Sequence, residues 1–495
     1  METMPHWLAQ RARLTPDRIA IETENQVMTF FELDQAVRGM AEALYKRGIR
    51  ESATVALLQS NSIQMVMSYH ALSYLGATVV PLNIRLSSQE HSWQLNDCAA
   101  DALLFDAHHR HRASEILQGN TVITAIAIDE TNEAPPGGGY PLKEEIVLRE
   151  PHTIIYTSGT TGHPKGVVLT YENHWWSAIG SALNLGLQSN DKWLAVVPLF
   201  HVSGLSILMK SVIYGMTVYL MDRFDAAKVN EIIFQRGITH LSVVTTMLTH
   251  LIQNMGRGRY PETLRCFLLG GGPVPLSLLE TCKDKQVPVY QSYGLSETAS
   301  QIATLAPEYM AVKTGSAGKP LFPAEIKIVD ETGAEVPAGK EGEIVVKGPN
   351  VTSGYYGKPH ATKQAIQNGW LYTGDIGYLD NEGFLYVLDR RKDMFVSGGE
   401  NVYPAEIEAV LVRHESIEEA GVIGFPDAEW GKVPIAFVKI REGAKLVEAD
   451  IQMLCRDFLA GYKVPKRIVP VADLPRNASG KLLRRKLSEK LSKDV

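Results

Sequence analysis

The short apolar run Thr153-Ile154-Ile155-Tyr156 empties into a glycine-punctuated loop, Thr157-Ser158-Gly159-Thr160-Thr161-Gly162-His163-Pro164-Lys165-Gly166. The run reads as a strand. Three glycines after a strand let the backbone double back and approach a ligand closely. Four hydroxyls and one lysine supply donors for phosphate oxygens. The loop lacks the Gly-Lys-Ser/Thr triplet of a Walker A motif. A solvated Gly/Ser/Thr loop is the plain alternative. Its start on a strand end and its Pro-Lys-Gly close favour a polyphosphate cradle.

Strand-like and helix-like segments alternate around this loop. Residues 53–58 read as a strand, 63–75 as a helix and 77–80 as the next strand. The alternation resumes through 193–197, 216–220, 238–244 and 266–269. Such alternation implies βαβ units and a parallel sheet. Residues 134–139 read as a loop too short for a linker. From Gly315 to Asp389 the texture changes to strand pieces, 324–329 and 342–346, between Gly and Pro turns, which predicts a small antiparallel sheet or barrel. Beyond Arg390 the pattern is β, α, β, β, α, β, with helices over 405–413 and 449–459 and strands over 419–424 and 433–440. A chain of 495 residues exceeds one core, so at least two domains are expected.

A net charge of −6 without a basic block argues against nucleic-acid binding. The locally basic stretch 481–493 reads as a solvated terminal helix. The scattered Cys98, Cys266, Cys282 and Cys455 suggest neither a metal site nor a disulfide framework. No apolar signal core or membrane-length apolar run is found, so a cytoplasmic protein is expected. A homo-oligomer is compatible with the sequence.

The glycine loop is similar to the phosphate-binding signature of adenylate-forming enzymes: acyl- and aryl-CoA synthetases, peptide-synthetase adenylation domains and luciferases. Four more segments match in that family's order: Tyr293-Gly294-Leu295-Ser296-Glu297-Thr298, Tyr372-Thr373-Gly374-Asp375, Asp389-Arg390-Arg391-Lys392-Asp393 and Asn477-Ala478-Ser479-Gly480-Lys481. The resemblance implies an α/β architecture: a large N-terminal domain of βαβ-type sheets with a small antiparallel β subdomain (1–389), a hinge (390–393) and a small mobile α+β domain (394–495).

It also implies ATP, Mg²⁺ and coenzyme A as the small-molecule set. Thr157, Ser158, Gly159, Thr160, Thr161, Gly162 and Lys165 would hold the phosphates. Glu297, with Thr157, would ligate Mg²⁺, a hard cation that prefers oxygen; alternatively Glu297 is a helix-start acid behind a Ser296 cap. Gly271, Gly272, Ser292, Gly294 and Thr298 would line the nucleotide. Tyr293 would stack on adenine, although alone it reads as a core aromatic. Asp375 would accept from the ribose diol, and Arg390 would reach the ribose or α-phosphate. Lys481 would be the catalytic lysine of adenylation. Lys392 would be the hinge, where many relatives carry Asp, and Gly398 and Gly399 would line a pantetheine tunnel. Lys463, Lys466 and Arg467 are candidates for coenzyme A phosphates, with a solvated face as the plainer reading.

Segments 198–206, 210–216, 268–273 and 291–294 resemble more narrowly the family's ligases of 2-succinylbenzoate, an aromatic keto diacid of menaquinone synthesis. The implied products are 2-succinylbenzoyl-CoA, AMP and diphosphate. His201 is expected to be catalytic. His201, Ser203, Ser206, Thr245, Thr246 and Gln301 are polar candidates for the ketone and the second carboxylate. Another aryl- or medium-chain acyl-CoA ligase, a carrier-protein-loading enzyme, a luciferase-like oxygenase and a non-catalytic nucleotide sensor remain rival readings. A degenerate sensor would be expected to have lost Glu297, Asp375 or Lys481, and all three are present.

Overall fold

The computed structural model describes residues 2–491 apart from 87, 119–121, 132–139, 158–163, 272–273, 391–394, 398–399, 403, 428–429, 460 and 477–481. The loop at 134–139 therefore lies outside the described residues. Two large sheets dominate the chain up to residue 320. One has seven strands, in the order Gly354–Tyr355, Lys165–Thr170, Pro151–Thr157, Thr78–Pro81, Thr54–Leu58, Ala102–Phe105 and Thr124–Ala127. Its centre is parallel, as the alternation requires, while Pro151–Thr157 and Lys165–Thr170 form an antiparallel hairpin around the glycine loop. The other has nine strands, with parallel Cys266–Leu269, His240–Val243, Lys192–Ala195 and Thr217–Leu220 at its heart.

Burial explains why the segments fold as they do. The helix Ile63–Leu75 is apolar around most of its circumference and is buried accordingly. Ser62 caps it, accepting from the Met65 N–H at 3.1 Å, a contact worth about 1 kcal/mol. It packs with Phe30, Leu33 and Leu44 of the helix Phe30–Lys46 and with Trp193 into one core. Each such side chain contributes roughly 1.5–3 kcal/mol when fully buried. The same region encloses four histidines. His6 stacks on Tyr74 at 3.8 Å and meets the Ser73 hydroxyl at 3.0 Å; His174 meets Thr153 at 3.1 Å; His70 and His152 are buried nearby. Burial lowers the pKa of His70 to about 4 and of His174 to about 3, and lowers those of His6 and His152 as well.

The third sheet is antiparallel and five-stranded: Glu325–Val329, Gly342–Lys347, Trp370–Leu379 and Ile366–Gln367 in order, with Leu385–Arg390 also paired to Trp370–Leu379. The C-terminal piece holds a hairpin, Phe395–Ser397 with Glu400–Val402, and a sheet of Ile417–Asp427, Gly431–Ile440 and Arg467–Pro470, packed by Pro404–Leu411 and Glu448–Phe458. The terminal helix Arg484–Leu491 departs from the solvated helix expected over 481–493. Leu487 and Leu491 are buried against Ile423, Ile435 and Phe437, and Arg484 grips Glu408 with bonds of 2.9 and 2.8 Å. The basic residues hide an apolar stripe at helical spacing.

Candidate active site

One strand and its turn, Val289–Leu295 followed by Ser296–Thr298, hold the candidate residues together. Gly294 lies where the strand folds back on Ser300–Thr304; a Cβ there would stand 1.9 Å from the Ser300 carbonyl oxygen. Only glycine fits. The turn is a single 3-10 turn, and Ser296 does not cap it. The buried Thr298 hydroxyl does that work, accepting from the Leu295 N–H at 2.9 Å and donating to the Ser300 carbonyl at 2.8 Å. Asn350 donates to the Thr298 carbonyl at 3.0 Å, the Thr352 N–H to the Glu297 carbonyl at 2.7 Å, and Ser177 to the Ala299 carbonyl at 2.6 Å.

Two carboxylates face this turn, each held by a tyrosine. The Tyr355 hydroxyl donates to Glu297 at 3.1 Å, and the Tyr293 hydroxyl donates to Asp375 at 2.8 Å. Tyr293 is thus wired to the candidate ribose acceptor, with its ring in the core beside Ile302 and Ile344. The Asp375 loop is set by its backbone: Gly374 N–H donates to Glu343 at 3.0 Å and Asp375 N–H to the Thr373 hydroxyl at 3.1 Å. Antiparallel pairing puts the Arg390 Cα opposite that of Asp375, so the spacing of the two motifs is that of a hairpin.

Lys165, at the foot of the glycine loop, lies over the Tyr355 ring, 5.0 Å from its centroid. Thr157 stands opposite Lys165 in register. Ser292 bonds back to the Leu269 carbonyl at 3.3 Å, and Gly271 has φ +86°, the left-handed backbone that glycine favours. Ser158, Gly159, Thr160, Thr161, Gly162, Gly272, Lys392, Gly398, Gly399 and Lys481 lie outside the described residues, and of Arg390 only the backbone is described. Lys463 neighbours Tyr462, Lys466 stands 3.9 Å from Asp427, and Arg467 opens the edge strand Arg467–Pro470 of the C-terminal sheet.

On the other side of the ribbon runs the helix Val202–Tyr214. Its first turn presses onto the preceding loop so closely that a Cβ on Gly204 would lie 2.3 Å from the Pro198 carbonyl oxygen. His201 sits at the helix start against Phe200; burial, then the Arg85 charge, lowers its pKa to about 4, so the ring is neutral at pH 7. Two of the expected acid-binding groups are already committed. Ser206 donates to the Ser203 carbonyl at 3.0 Å, and the Gln301 amide accepts from Ser181 at 2.9 Å and donates to Thr304 at 2.8 Å. Thr245 and Thr246 begin a neighbouring helix, Thr245–Met255.

Lys210, which opens the segment 210–216, has no role assigned by the sequence motifs. It is fully buried in that helix, with its ammonium 3.1 Å from Gln301 and 4.7 Å above the Trp193 ring. It makes no ion pair among the described residues, and burial lowers its pKa to about 8. It sits in a largely apolar helix, where a cation is costly unless it has work to do.

No group of three or more metal-ligating side chains occurs among the described residues. A lone carboxylate such as Glu297 suits Mg²⁺, which is held by one or two carboxylates plus substrate phosphates rather than by a protein cage.

Residues 8–356 match the AMP-binding enzyme family, and 406–481 match its C-terminal domain. The 2-succinylbenzoate–CoA ligase of Geobacillus kaustophilus is 55% identical over 100% of this chain and 99% of its own. The o-succinylbenzoate CoA synthetase of Bacillus subtilis in complex with its acyl-adenylate intermediate is 47% identical, covers 98% of each chain and superimposes with a TM-score of 0.93. A double mutant of that enzyme bound to a product analogue is 48% identical, covers 99% of this chain and 98% of its own, yet superimposes only to 0.77. The chain belongs to the AMP-binding enzyme family, in the branch whose members are named 2-succinylbenzoate–CoA ligase.

Proposed function

We propose that this protein activates 2-succinylbenzoate with ATP and transfers the acyl group to coenzyme A. The observation that carries the reading is the strand and turn from Val289 to Thr298, which reaches Asp375 through Tyr293 and Lys165 through Glu297 and Tyr355. Three segments distant in sequence thereby present an acceptor for a ribose diol, a cation for phosphate and a carboxylate for a metal.

An oxygen of the acid attacks the α-phosphorus in line, forming the acyl-adenylate and releasing diphosphate. The coenzyme A thiol then attacks the acyl carbonyl, and AMP leaves. The protein's contribution is placement and charge stabilisation. Magnesium, when bound, neutralises the charge of the leaving diphosphate. Lys165 meets phosphate oxygens, Asp375 fixes the ribose, and Glu297 with Thr157 faces the metal. Lys481 orients the acid in the first half-reaction. The small domain, from residue 394, turns about 390–393 for the second, with Lys392 as pivot. His201, being neutral, acts through shape and hydrogen bonding rather than charge.

Lys210 supports the choice of acid. Its ammonium, held among the described residues by a neutral amide and a ring face, is suited to an anion brought by the substrate. A site built for a second carboxylate discriminates by about 10⁴-fold, whereas an apolar pocket separates such acids by only about 10- to 200-fold. The test is kcat/KM for diphosphate release across 2-succinylbenzoate, benzoate, 4-chlorobenzoate and octanoate, with and without coenzyme A. Comparable turnover of octanoate defeats the diacid assignment and leaves acyl-CoA ligation standing.

A further inference from the structure

The geometry points to Tyr355 as the positioning residue that keeps the metal-facing carboxylate of Glu297 and the phosphate-facing ammonium of Lys165 in separate places. This rests on the reading of Glu297 given above. The sequence motifs do not include Tyr355; it lies 58 residues beyond Glu297 and meets it only in the fold.

The ring addresses two groups at once. Its hydroxyl donates to one oxygen of Glu297 at 3.1 Å, while the Lys165 ammonium lies over its face at 5.0 Å. One carboxylate oxygen is thereby engaged, and the side chain is fixed in a single orientation. The lysine is held by the ring quadrupole, which attracts a cation without neutralising it. A flexible lysine and a glutamate close to one another otherwise tend to pair, which would spend the phosphate donor on the metal ligand. Placing one at the tip of a ring and the other on its face prevents that.

Tyr355 is itself held firmly. Its strand, Gly354–Tyr355, is hydrogen-bonded to Lys165–Thr170, with Tyr355 opposite Val167. Its own N–H donates to the Thr362 hydroxyl at 2.9 Å, and the next N–H, of Tyr356, donates to the Gly166 carbonyl at 2.8 Å. Burial and the Glu297 charge raise the phenol pKa, so the hydroxyl remains a donor throughout the working range.

The test measures ATP affinity by calorimetry with and without Mg²⁺, in the absence of acid so that nothing turns over. The ratio of the two affinities reports the metal site alone. Tyr355→Phe keeps the ring and should cut that ratio about tenfold, the effect of one hydrogen bond to a charged group, with metal-free ATP affinity and the thermal midpoint unchanged. Tyr355→Leu also removes the ring and should weaken metal-free ATP binding. Glu297→Gln is the reference. If it lowers the ratio and Tyr355→Phe does not, the positioning role fails alone. If neither lowers it, the reading of Glu297 fails too. A fall of both affinities in parallel with a lower midpoint marks Tyr355 as merely structural and overturns the inference.

Discussion

The turn Ser296–Thr298 and the strand Ser300–Thr304 are consecutive, yet the two sides of this ribbon treat charge in opposite ways. On one side, two carboxylates are each oriented by a tyrosine hydroxyl: Glu297 by Tyr355 and Asp375 by Tyr293. Toward the helix Val202–Tyr214, a single ammonium is buried among neutral groups, held by Gln301 and the face of Trp193. On the reading proposed above, the first side would take neutral hydroxyls and a cation that arrives with the nucleotide, and the second an anion, so that two anionic substrates would be told apart by what the protein already holds.

The largest effect is expected where that contrast is removed. Lys210→Met should lower kcat/KM for 2-succinylbenzoate by about 10³-fold, since a lost partner leaves a buried charge uncompensated at a cost of about 3–5 kcal/mol. Turnover of a monoacid should stay level and the thermal midpoint should not fall, because the free protein loses an unpaired buried cation. Equal loss for mono- and diacids sinks the assignment. On the nucleotide side, Asp375→Asn should cost about 10²-fold in kcat/KM for ATP. Tyr293→Phe should cost about 10-fold, the low end for one hydrogen bond to a charged group at about 1.5 kcal/mol. If Tyr293→Phe matched Asp375→Asn, the ring would be acting on the nucleotide directly.

A pH profile sharpens the comparison. Lys210 is charged below its lowered pKa of about 8 and neutral above it. KM for the diacid should therefore rise by about tenfold per pH unit above 8, while KM for a monoacid stays flat. The last effect belongs to the histidine core and separates stability from function. His70 and His174 titrate near 4 and 3 when folded, against about 6.5 unfolded. Between those values the unfolded chain binds more protons, so stability is complete above about pH 6.5 and falls as pH drops toward 4. Each histidine should contribute a loss of roughly 1 kcal/mol per pH unit in that window, read from denaturant midpoints. A flat stability curve from pH 7 to 5 would contradict this account.

Local patterns were legible; long-range pairings were not. The helix Ile63–Leu75 and the strand Cys266–Leu269 fall where the apolar runs place them, because burial on all sides leaves a continuous signature. The sheet expected between Gly315 and Asp389 is antiparallel as its turns imply. That Ile19–Glu22 joins Thr217–Leu220 across the chain could not be read from periodicity, since pairing over such a separation leaves no local trace. The same holds for the site. Glu297, Asp375 and Lys165 were visible as motif residues, whereas Tyr355, with no charge and no motif, and Lys210, set in an apolar run, became distinct only through what they touch. Gln301 illustrates the converse: a plausible ligand by residue type whose amide is already occupied by Ser181, Lys210 and Thr304.

Gly204 and Gly294, each pressed against a carbonyl oxygen, have a consequence for how this chain can change over generations. Every single-base change in a glycine codon that alters the residue adds at least one heavy atom. At these two positions every such neighbour collides with backbone, which cannot swing aside as a side chain can. Inherited variation at the two glycines is therefore purged rather than explored. If Lys210 meets the acid as proposed, drift in substrate preference is channelled into side chains between them, Lys210 foremost, so an offshoot of this lineage that takes a different acid should keep both glycines and differ at that position.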